Sequence, residues 1–130
     1  MILGKLQSVG LGANFHIANA GTALYLACGQ DAAYISALTG VTIFEPRGEG
    51  DLLVSLDIPT LGVGTVGGGT GLPTANACLD LLGCVGPGKA DRLAEIIAAA
   101  CLAGEVSTAA AIVTREFVAA HDRLGRNRPI

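Results

Sequence analysis

The segment Leu52-Leu-Val-Ser-Leu-Asp-Ile58, followed by Gly62-Val-Gly-Thr-Val-Gly-Gly-Gly-Thr70, decides how the rest of the sequence is interpreted. In the first part, apolar residues at every second position alternate with a mixed set, which predicts a β-strand with one buried and one partly wet face. The second part is rich in glycine, so its backbone can approach a ligand or another chain closely. We therefore expect a strand that leads into a glycine loop.

The glycine loop contains the pattern GxGxxG. It does not predict a Rossmann fold, because the glycines do not open directly into a helix and no βαβ unit surrounds them. The Gly-Lys-Ser/Thr ending of a P-loop is also missing. Two interpretations stay open: the loop contacts a ligand, or it allows two backbones to cross tightly at a subunit interface.

Outward from this segment, the sequence predicts an α+β fold. Residues 41–45 predict a second strand, joined to residues 52–58 by a hairpin connection at 46–50. Helices are predicted over residues 14–36, from Pro73 to near Gly83, from Pro87 to Gly104, and over 105–124. Two strands do not form an independent sheet, so either a partner supplies more strands or the hairpin packs against the helices. We expect one domain over residues 1–130, completed by oligomerisation.

Composition indicates a compact protein that associates with copies of itself. Half of the 130 residues are apolar (51%), but only 4% are aromatic and Trp is absent, so the core is built from small side chains. The apolar runs at residues 17–28 and 96–102 are shorter than the roughly twenty residues that cross a bilayer. We therefore expect no membrane association, and a homo-oligomer accounts better for the apolar excess.

Charge and cysteine usage argue against a nucleic-acid-binding protein and against a metal-binding protein. A net charge of −3 argues against nucleic-acid binding, which needs a basic patch. The four cysteines lie in apolar runs without a CxxC pattern, which predicts buried reduced thiols and no metal site. Met1 is not followed by the charged-then-apolar order of a signal peptide, so a cytoplasmic location is expected.

The predicted first helix carries a line of polar residues. His16, Asn19 and Gln30 fall close to one line at about 100° per residue, with Asp31 a little to one side. Buried polar groups need partners, so these residues either satisfy one another or face a site. The simpler interpretation is a capped helix end at residues 29–31, and spacing alone favours it.

The predicted last helix carries a second line, with Ser107, Thr114 and His121 on one face. The two ends are about 21 Å apart by helical rise, too far for a nucleophile–base pair. Both could touch one long ligand, such as an acyl-pantetheine arm. Spacing alone favours a solvated His121 near a helix end, flanked by Asp122 and Arg123.

Taken together, these motifs resemble the HMG-CoA reductase family. Val63-Gly-Thr-Val-Gly-Gly-Gly-Thr70 matches the glycine signature of that family. Asn14-Phe-His16-Ile-Ala-Asn19, followed by Ala27-Cys-Gly-Gln-Asp31-Ala-Ala33, looks like its helix ending in the catalytic aspartate. Leu102-Ala-Gly-Glu-Val-Ser107 and His121 reproduce the family's Ser-to-His spacing. The resemblance covers about residues 8–124 and corresponds to the C-terminal part of the substrate-binding large domain.

The resemblance implies roles for individual residues. Asp31 matches the catalytic aspartate, and His121 matches the histidine that protonates the departing coenzyme A thiolate. Positions along the thioester and pantetheine path are matched by three residues: His16, Asn19 and Ser107. Positions that touch the nicotinamide nucleotide are matched by two: Val66 and Gly67.

The sequence also departs from the family. The Asp-Ala-Met-Gly-Met-Asn-Met cofactor motif and its domain are absent, as are the catalytic glutamate and lysine, and Lys5 lies too near the start to be assigned to that lysine. We therefore expect no cofactor to bind this chain by itself, and NADPH only if a partner chain completes it. Around His121, Ala119 and Asp122 replace the residues that the family prefers, and Asp122 would favour protonated His121 if the two approach.

Three hypotheses follow, ranked in this order. The first is a repurposed, cofactor-free enzyme of secondary metabolism, in which Asp31 and His121 catalyse cyclisation, elimination or isomerisation of a small acyl or polyketide-like substrate. A chain that starts at Met1 and the changes around His121 favour it. The second is one subunit of a two-chain HMG-CoA reductase that makes mevalonate, favoured by the retained Asp31, His121 and glycine loop. The third is a non-catalytic remnant that binds a ligand or partner.

Overall fold

The computed structural model describes residues 13–125. It confirms an α+β arrangement of helices with a short hairpin. In chain order the elements are α1 (Ile17–Ala27), a 3₁₀ helix (Ala32–Ala37), β1 (Val41–Arg47), β2 (Asp51–Asp57), a second 3₁₀ helix (Gly68–Gly71), α2 (Pro73–Leu81), α3 (Ala90–Val113) and α4 (Glu116–Leu124).

The predicted hairpin is confirmed and packs against a helix. Strands β1 and β2 pair antiparallel, with Val41 opposite Asp57 and Arg47 opposite Asp51. Ala13 adds a single parallel bridge to Val41, and β2 contacts α3. Within residues 13–125 the sheet has two strands, so its support comes from the helices, which is one of the two alternatives that the sequence left open.

The core lies between α1 and α3. Helix α3 buries residues at a spacing of four, which line one face of a helix: Leu93, Ile97, Cys101 and Glu105. Against this face lie Ile17 and Tyr25 of α1, both fully buried. All four cysteines are free thiols, and three of them are buried.

The prediction of one helix over residues 14–36 is wrong, because α1 ends at Ala27. Gly29 adopts a left-handed conformation with φ 64°, which glycine tolerates without a Cβ penalty. The Gln30 N–H then donates to the Tyr25 carbonyl at 2.9 Å and the Gly29 N–H to the Leu26 carbonyl, the pattern of a Schellman motif. As a result, Gln30 and Asp31 do not continue the helical line of His16.

The predicted break at Gly104 is also wrong, because α3 runs without interruption from Ala90 to Val113. Glycine at 104 serves packing: a Cβ there would lie 1.9 Å from Cδ2 of His16. The helix begins three residues after Pro87. It is separated from α4 by Arg115, which has φ 62°.

Because Arg115 interrupts the helical path, the prediction of a single helix over residues 105–124 is wrong. Ser107 lies on α3 and His121 on α4. Their spacing of fourteen therefore does not place them on one continuous face, and the 21 Å estimate does not apply.

Uninterrupted α3 also bears on the membrane prediction. Within residues 13–125 it is the one helix long and apolar enough to cross a bilayer by length and composition. The core helix of a water-soluble protein meets the same criteria. One face of α3 lies in the core and includes the carboxylate of Glu105, while 17% of its apolar window is buried.

Candidate functional site

A cavity of about 690 Å³ lies between the turn after α1 and the glycine loop. We call it the glycine pocket. One wall is formed by residues 29–31 with Tyr34, and the other by residues 62–64 and 66–70 with Leu72. The sequence motif around Asp31 and the glycine signature thus meet in one place, although about thirty residues, including the hairpin, separate them in the chain.

Gln30 fixes the glycine loop to the end of α1. Its Nε2 donates to the carbonyl of Gly64 at 2.9 Å, and its Oε1 accepts from the Gly64 N–H at 2.7 Å. Nε2 also donates to the Cys28 carbonyl at 3.0 Å. The amide therefore acts as a clamp that pairs with both backbone groups of one glycine. From the sequence, Gln30 belongs to a polar helix line or to a capped helix end at residues 29–31; the clamp on Gly64 is not part of either prediction.

Two further contacts hold the loop. The backbones of Gly29 and Gly69 cross so closely that a Cβ on Gly29 would lie 2.4 Å from the Gly69 carbonyl oxygen. The hydroxyl of buried Tyr25 donates to the Gly62 carbonyl at 2.8 Å. The tight crossing that the glycines predicted is thus found within one chain. Gly67 and Gly68 have open space around them, so the same loop also leaves backbone accessible to a ligand.

Asp31 lies at the mouth of the glycine pocket. It is exposed, and its Oδ1 accepts from the Ala33 N–H at 2.9 Å, which begins the first 3₁₀ helix. Val66 is 65% exposed and lines the same pocket beside Gly67. The structure therefore brings together three of the predicted site residues.

A second group of residues surrounds Glu105, which is completely buried. Its carboxylate accepts from the backbone N–H groups of Phe15 at 2.8 Å and Ile17 at 3.1 Å, and also from that of His16. It accepts a further bond from the Thr42 hydroxyl at 3.0 Å. These N–H groups belong to the start of α1, where a negative charge satisfies donors that the helix itself leaves unpaired.

Sequence reasoning missed Glu105, although a signal was present. The carboxylate continues the four-residue spacing of the buried positions 93, 97 and 101, so a helix through Gly104 would have placed it in the core. His16, half-buried over Gly104, is positioned by this cluster. Asn19 and Ser107 are exposed on α1 and α3, and neither lines the glycine pocket.

His121 lies apart from the glycine pocket, on α4. It is exposed, its Nδ1 lies 2.7 Å from the Phe117 carbonyl oxygen, and the two rings pack at 4.3 Å between centroids. Because the carbonyl only accepts, Nδ1 must carry a proton for this contact to be a hydrogen bond. Asp31 and His121 thus do not face one pocket within residues 13–125.

Burial shifts three titratable groups in the core. It raises the pKa of the Cys28 thiol, and the neighbouring Cys78 and Cys84 add to the effect. It likewise raises the pKa of the Cys101 thiol, with a contribution from Glu105. Tyr25 has a raised pKa from burial, partly offset by its bond to Gly62. These thiols are held in their protonated form, so they are poor nucleophiles.

The glycine pocket does not fit a complete dinucleotide cofactor. Among the described residues that line it there is no lysine, arginine or histidine, so nothing there neutralises phosphate groups. At Gly67 a Cβ would meet no atom within 4 Å, so the backbone there is open. Within residues 13–125, no group of three or more His, Cys, Asp or Glu side chains is arranged to hold a metal ion.

Comparison with known proteins identifies the family. The family model described as hydroxymethylglutaryl-coenzyme A reductase matches residues 4–126, which is nearly the whole chain. The chain belongs to the HMG-CoA reductase family. The resemblance inferred from the glycine signature, the aspartate motif and the Ser-to-His spacing is therefore confirmed.

Curated HMG-CoA reductases show how much of a reductase the chain represents. The 3-hydroxy-3-methylglutaryl-coenzyme A reductase of Methanothermobacter thermautotrophicus is 44% identical over 126 residues, which cover 96% of this chain and 32% of the relative. That of Pyrococcus abyssi is 44% identical over 131 residues with the same coverage. Reductase 1 of Candida albicans is 44% identical over 129 residues, 93% of this chain and 12% of the relative. The chain thus spans about a third of the archaeal relatives.

Proposed function

We propose that the chain forms one side of an HMG-CoA reductase active site, the side that carries Asp31 and the glycine loop. The observation that carries the proposal is the rigid attachment of the loop next to Asp31 by Gln30 and by the Gly29–Gly69 crossing, with Gly67 left open. In this proposal the chain is the C-terminal part of a substrate domain, and the two thirds that the archaeal relatives contain in addition complete the site.

The chain's own residues account for binding and proton transfer. Asp31 offers an exposed carboxylate at the pocket mouth, which can accept a proton or a hydrogen bond from the substrate side. Reduction of a thioester also needs a hydride donor and a positive group near the developing oxyanion. Neither is among the described residues of the pocket, so we assign both to the rest of the reductase.

We assign the protonation of the departing thiolate to His121. Its Nδ1–H is fixed on the Phe117 carbonyl, so Nε2 is the nitrogen that would carry and donate the second proton. His16, Asn19 and Ser107 stay predictions for the thioester and pantetheine path. Of these, His16 has the most defined position, because the Glu105 cluster holds its backbone.

We further propose that the chain works as part of an assembly. An apolar groove of about 450 Å³ lies between the hairpin and the second half of α3, and none of the residues within 13–125 that line it is charged. Its lining includes Phe44, Leu52, Val106 and Val113, of which Val113 is 82% exposed. Exposed apolar surface of this kind marks an interaction site. We expect a homo-oligomer in light scattering, and a monodisperse monomer would contradict this part of the proposal.

The cofactor-free acid/base hypothesis ranked first from the sequence and now ranks second. It requires Asp31 and His121 to act on one substrate. Of these two residues, Asp31 lines the glycine pocket and His121 does not. The non-catalytic binding hypothesis needs no such pairing, and it predicts ligand binding without turnover.

The experiment is a chimera in which this chain replaces the matching third of the Methanothermobacter reductase. Oxidation of NADPH with HMG-CoA is the readout, and Asp31→Asn and His121→Gln are the test variants. We expect turnover by the chimera and at least about a 100-fold loss of kcat in each variant, the usual contribution of a positioned acid or base. The control is Asp80→Asn, an exposed carboxylate on α2 that we expect to leave kcat unchanged. A folded but inactive chimera would overturn the proposal.

A thermal-shift series on the chain alone separates the remaining hypotheses. A ligand that binds only the folded state raises the melting temperature. Stabilisation by HMG-CoA or coenzyme A supports the reductase proposal. If the chimera is inactive and neither compound stabilises the chain, the substrate lies outside mevalonate metabolism, as the acid/base hypothesis predicts.

A further inference from the structure

The imidazole of His16 packs directly on helix α3. A Cβ added at Gly104 would lie 1.9 Å from Cδ2 and 2.6 Å from Nε2 of the ring. The Cδ2–Nε2 edge of the imidazole therefore occupies the space that a side chain at residue 104 would fill. Because the ring is half-buried against a helix backbone, its orientation depends on how the backbone of His16 is held.

The backbone of His16 is held by a carboxylate from another helix. His16 is the N-cap residue of α1, and its imidazole makes no capping hydrogen bond. N-cap side chains usually accept from backbone N–H groups of the first helical turn. Here the completely buried Glu105 accepts from the N–H groups of three consecutive residues: Phe15, His16 and Ile17. The start of α1 is thus held without the imidazole, which is left for other contacts.

The carboxylate of Glu105 is itself fixed by strand β1. Its Oε2 accepts from the Thr42 hydroxyl at 3.0 Å. Just before the anchored residues, Asn14 donates from Nδ2 to the Gly40 carbonyl at 2.9 Å. The segment that carries His16 is therefore attached to α3 and to the start of β1 at the same time.

Both nitrogens of the His16 ring stay accessible. Within residues 13–125 neither forms a hydrogen bond, and no buried side-chain nitrogen or oxygen there lacks a partner, so both nitrogens reach solvent. Ser107 follows Gly104 by three residues on α3, and Asn19 follows His16 by three on α1, a spacing that places neighbours on one helix face. The ring is thus packed in place while its nitrogens can bond to a ligand.

We propose that Glu105 is a positioning residue for substrate binding: its carboxylate fixes the backbone at residues 15–17 and thereby holds the imidazole of His16 against α3 in the orientation that meets the ligand. The assignment of His16 to the thioester and pantetheine path belongs to the proposed function, on which this inference rests. Glu105 touches no ligand, because its side chain is completely buried. Its effect on binding passes through His16.

The first test measures the position of the ring by NMR of the chain alone. The readout is the nuclear Overhauser effect (NOE) between Hδ2 of His16 and Hα of Gly104, two groups that the structure places against each other. Glu105→Asp keeps the charge but is shorter by one methylene, so it does not reach all of its donors and the NOE should weaken. Glu105→Gln still places an oxygen on the N–H groups and should keep the NOE. The control Ile97→Val destabilises the same buried face of α3 about two turns away and should also keep it.

The second test is a double-mutant cycle in the chimera, with KM for HMG-CoA as the readout. Glu105→Asp misplaces the ring and should raise KM about 2- to 12-fold, the loss of one hydrogen bond to the ligand. In the His16→Ala background the same substitution should change KM no more than Ile97→Val does. A residue with a purely structural role would have the same effect in both backgrounds. Glu105→Gln should stay within about 2-fold of the wild type.

Thr42→Val is the second variant, in case Glu105→Asp does not fold. It removes the hydroxyl that holds Oε2 and leaves the backbone donors their acceptor, so it should weaken the NOE and raise KM only when His16 is present. The inference is overturned if no folded variant weakens the NOE, or if the KM effects are equal in the two backgrounds. It is also overturned if Glu105→Gln raises KM as much as Glu105→Asp, since charge and not position would then be responsible.

The two tests distinguish this inference from the proposed function. An active chimera without coupling between Glu105 and His16 overturns the inference and leaves the proposed function intact. A folded but inactive chimera overturns the proposed function, and the inference is then decided on the chain alone with pantetheine as the probe. In that case, a loss of pantetheine affinity in Glu105→Asp that disappears in the His16→Ala background supports the inference. Equal affinity in wild type and Glu105→Asp, or no binding, overturns it.

Discussion

Removal of the Glu105 carboxylate tests how helix α3 is joined to the start of helix α1. In the structure this buried group accepts from three consecutive backbone N–H groups at the start of α1 and from the Thr42 hydroxyl. In Glu105→Ala those donors lose their acceptor, whose side chain is completely buried. Each buried unsatisfied donor costs about 1–3 kcal/mol. Water can enter the space that the carboxylate leaves and accept hydrogen bonds from some of these donors. We therefore expect a total loss of about 3–5 kcal/mol in the free energy of unfolding.

Glu105→Gln should cost less, about 1–2 kcal/mol, because its amide oxygen still accepts from the N–H groups while its NH₂ can donate to the Thr42 hydroxyl. The matched control is Glu95→Ala, which removes an exposed carboxylate from the same helix and should change the free energy of unfolding by no more than about 0.5 kcal/mol.

Urea denaturation followed by far-UV circular dichroism measures these differences. A protein of this size has a total stability of about 5–15 kcal/mol, so Glu105→Ala is expected to be marginally folded and Glu105→Gln clearly folded. If Glu105→Gln is as stable as the wild type and Glu105→Ala is as stable as Glu95→Ala, the carboxylate does not connect α1 to α3 and the argument is refuted.

Three further predictions concern packing, the loop clamp and the buried thiols. Gly104→Ala should destabilise by about 1–3 kcal/mol in urea denaturation, although alanine favours helices, because its Cβ would collide with His16. Gln30→Ala should increase hydrogen exchange of the Gly64 amide, because the clamp on both backbone groups is lost. Stability should fall as pH rises above 9.0, the ordinary pKa of Cys101, since burial raises that pKa in the folded state and the unfolded thiol loses its proton first.

Each of these predictions has a matched control. Gly71→Ala adds a methyl group where nothing lies within 4 Å, so it should be far milder than Gly104→Ala. Asn76→Ala, at an exposed amide of α2, should leave exchange at Gly64 unchanged. A variant with Cys28 and Cys101 both replaced by alanine should lose less stability above pH 9.0 than the wild type. Equal effects in variant and control would contradict the corresponding prediction.

Several elements could be predicted from the sequence because local rules determine them. The hairpin follows from alternating apolar residues on either side of a Gly-containing turn, and β1 and β2 are found within two residues of the predicted bounds. Helix α2 begins at Pro73 as predicted, because proline is suited to the first helical position. The resemblance to the family rests on three short motifs: the glycine signature, the aspartate motif and the Ser-to-His spacing. The match to the family model confirms this resemblance.

Two errors have one cause, the treatment of glycine as a local signal. The helix predicted over residues 14–36 runs through Gly29, although the capped end favoured at residues 29–31 is close to the observed one, where Gly29 ends α1 in a left-handed conformation. Gly104 was read as a helix end, but it lies inside α3 because His16 occupies the space of a side chain there. Sequence alone does not distinguish the two, since the deciding contact comes from a residue far away in the chain.

The sequence by itself determined the α+β class, the hairpin and the family, because each depends on residues that are neighbours in the chain. Only the tertiary structure decided that Gln30 clamps Gly64 and that Glu105 joins α3 to the start of α1. It also decided that Asp31 lines the glycine pocket while His121 lies apart from it on α4. These relations depend on how helices pack across residues distant in sequence. A side chain's hydrogen-bonding capacity can be read from its type, but its partner is fixed only when the burial of apolar faces brings the two segments together.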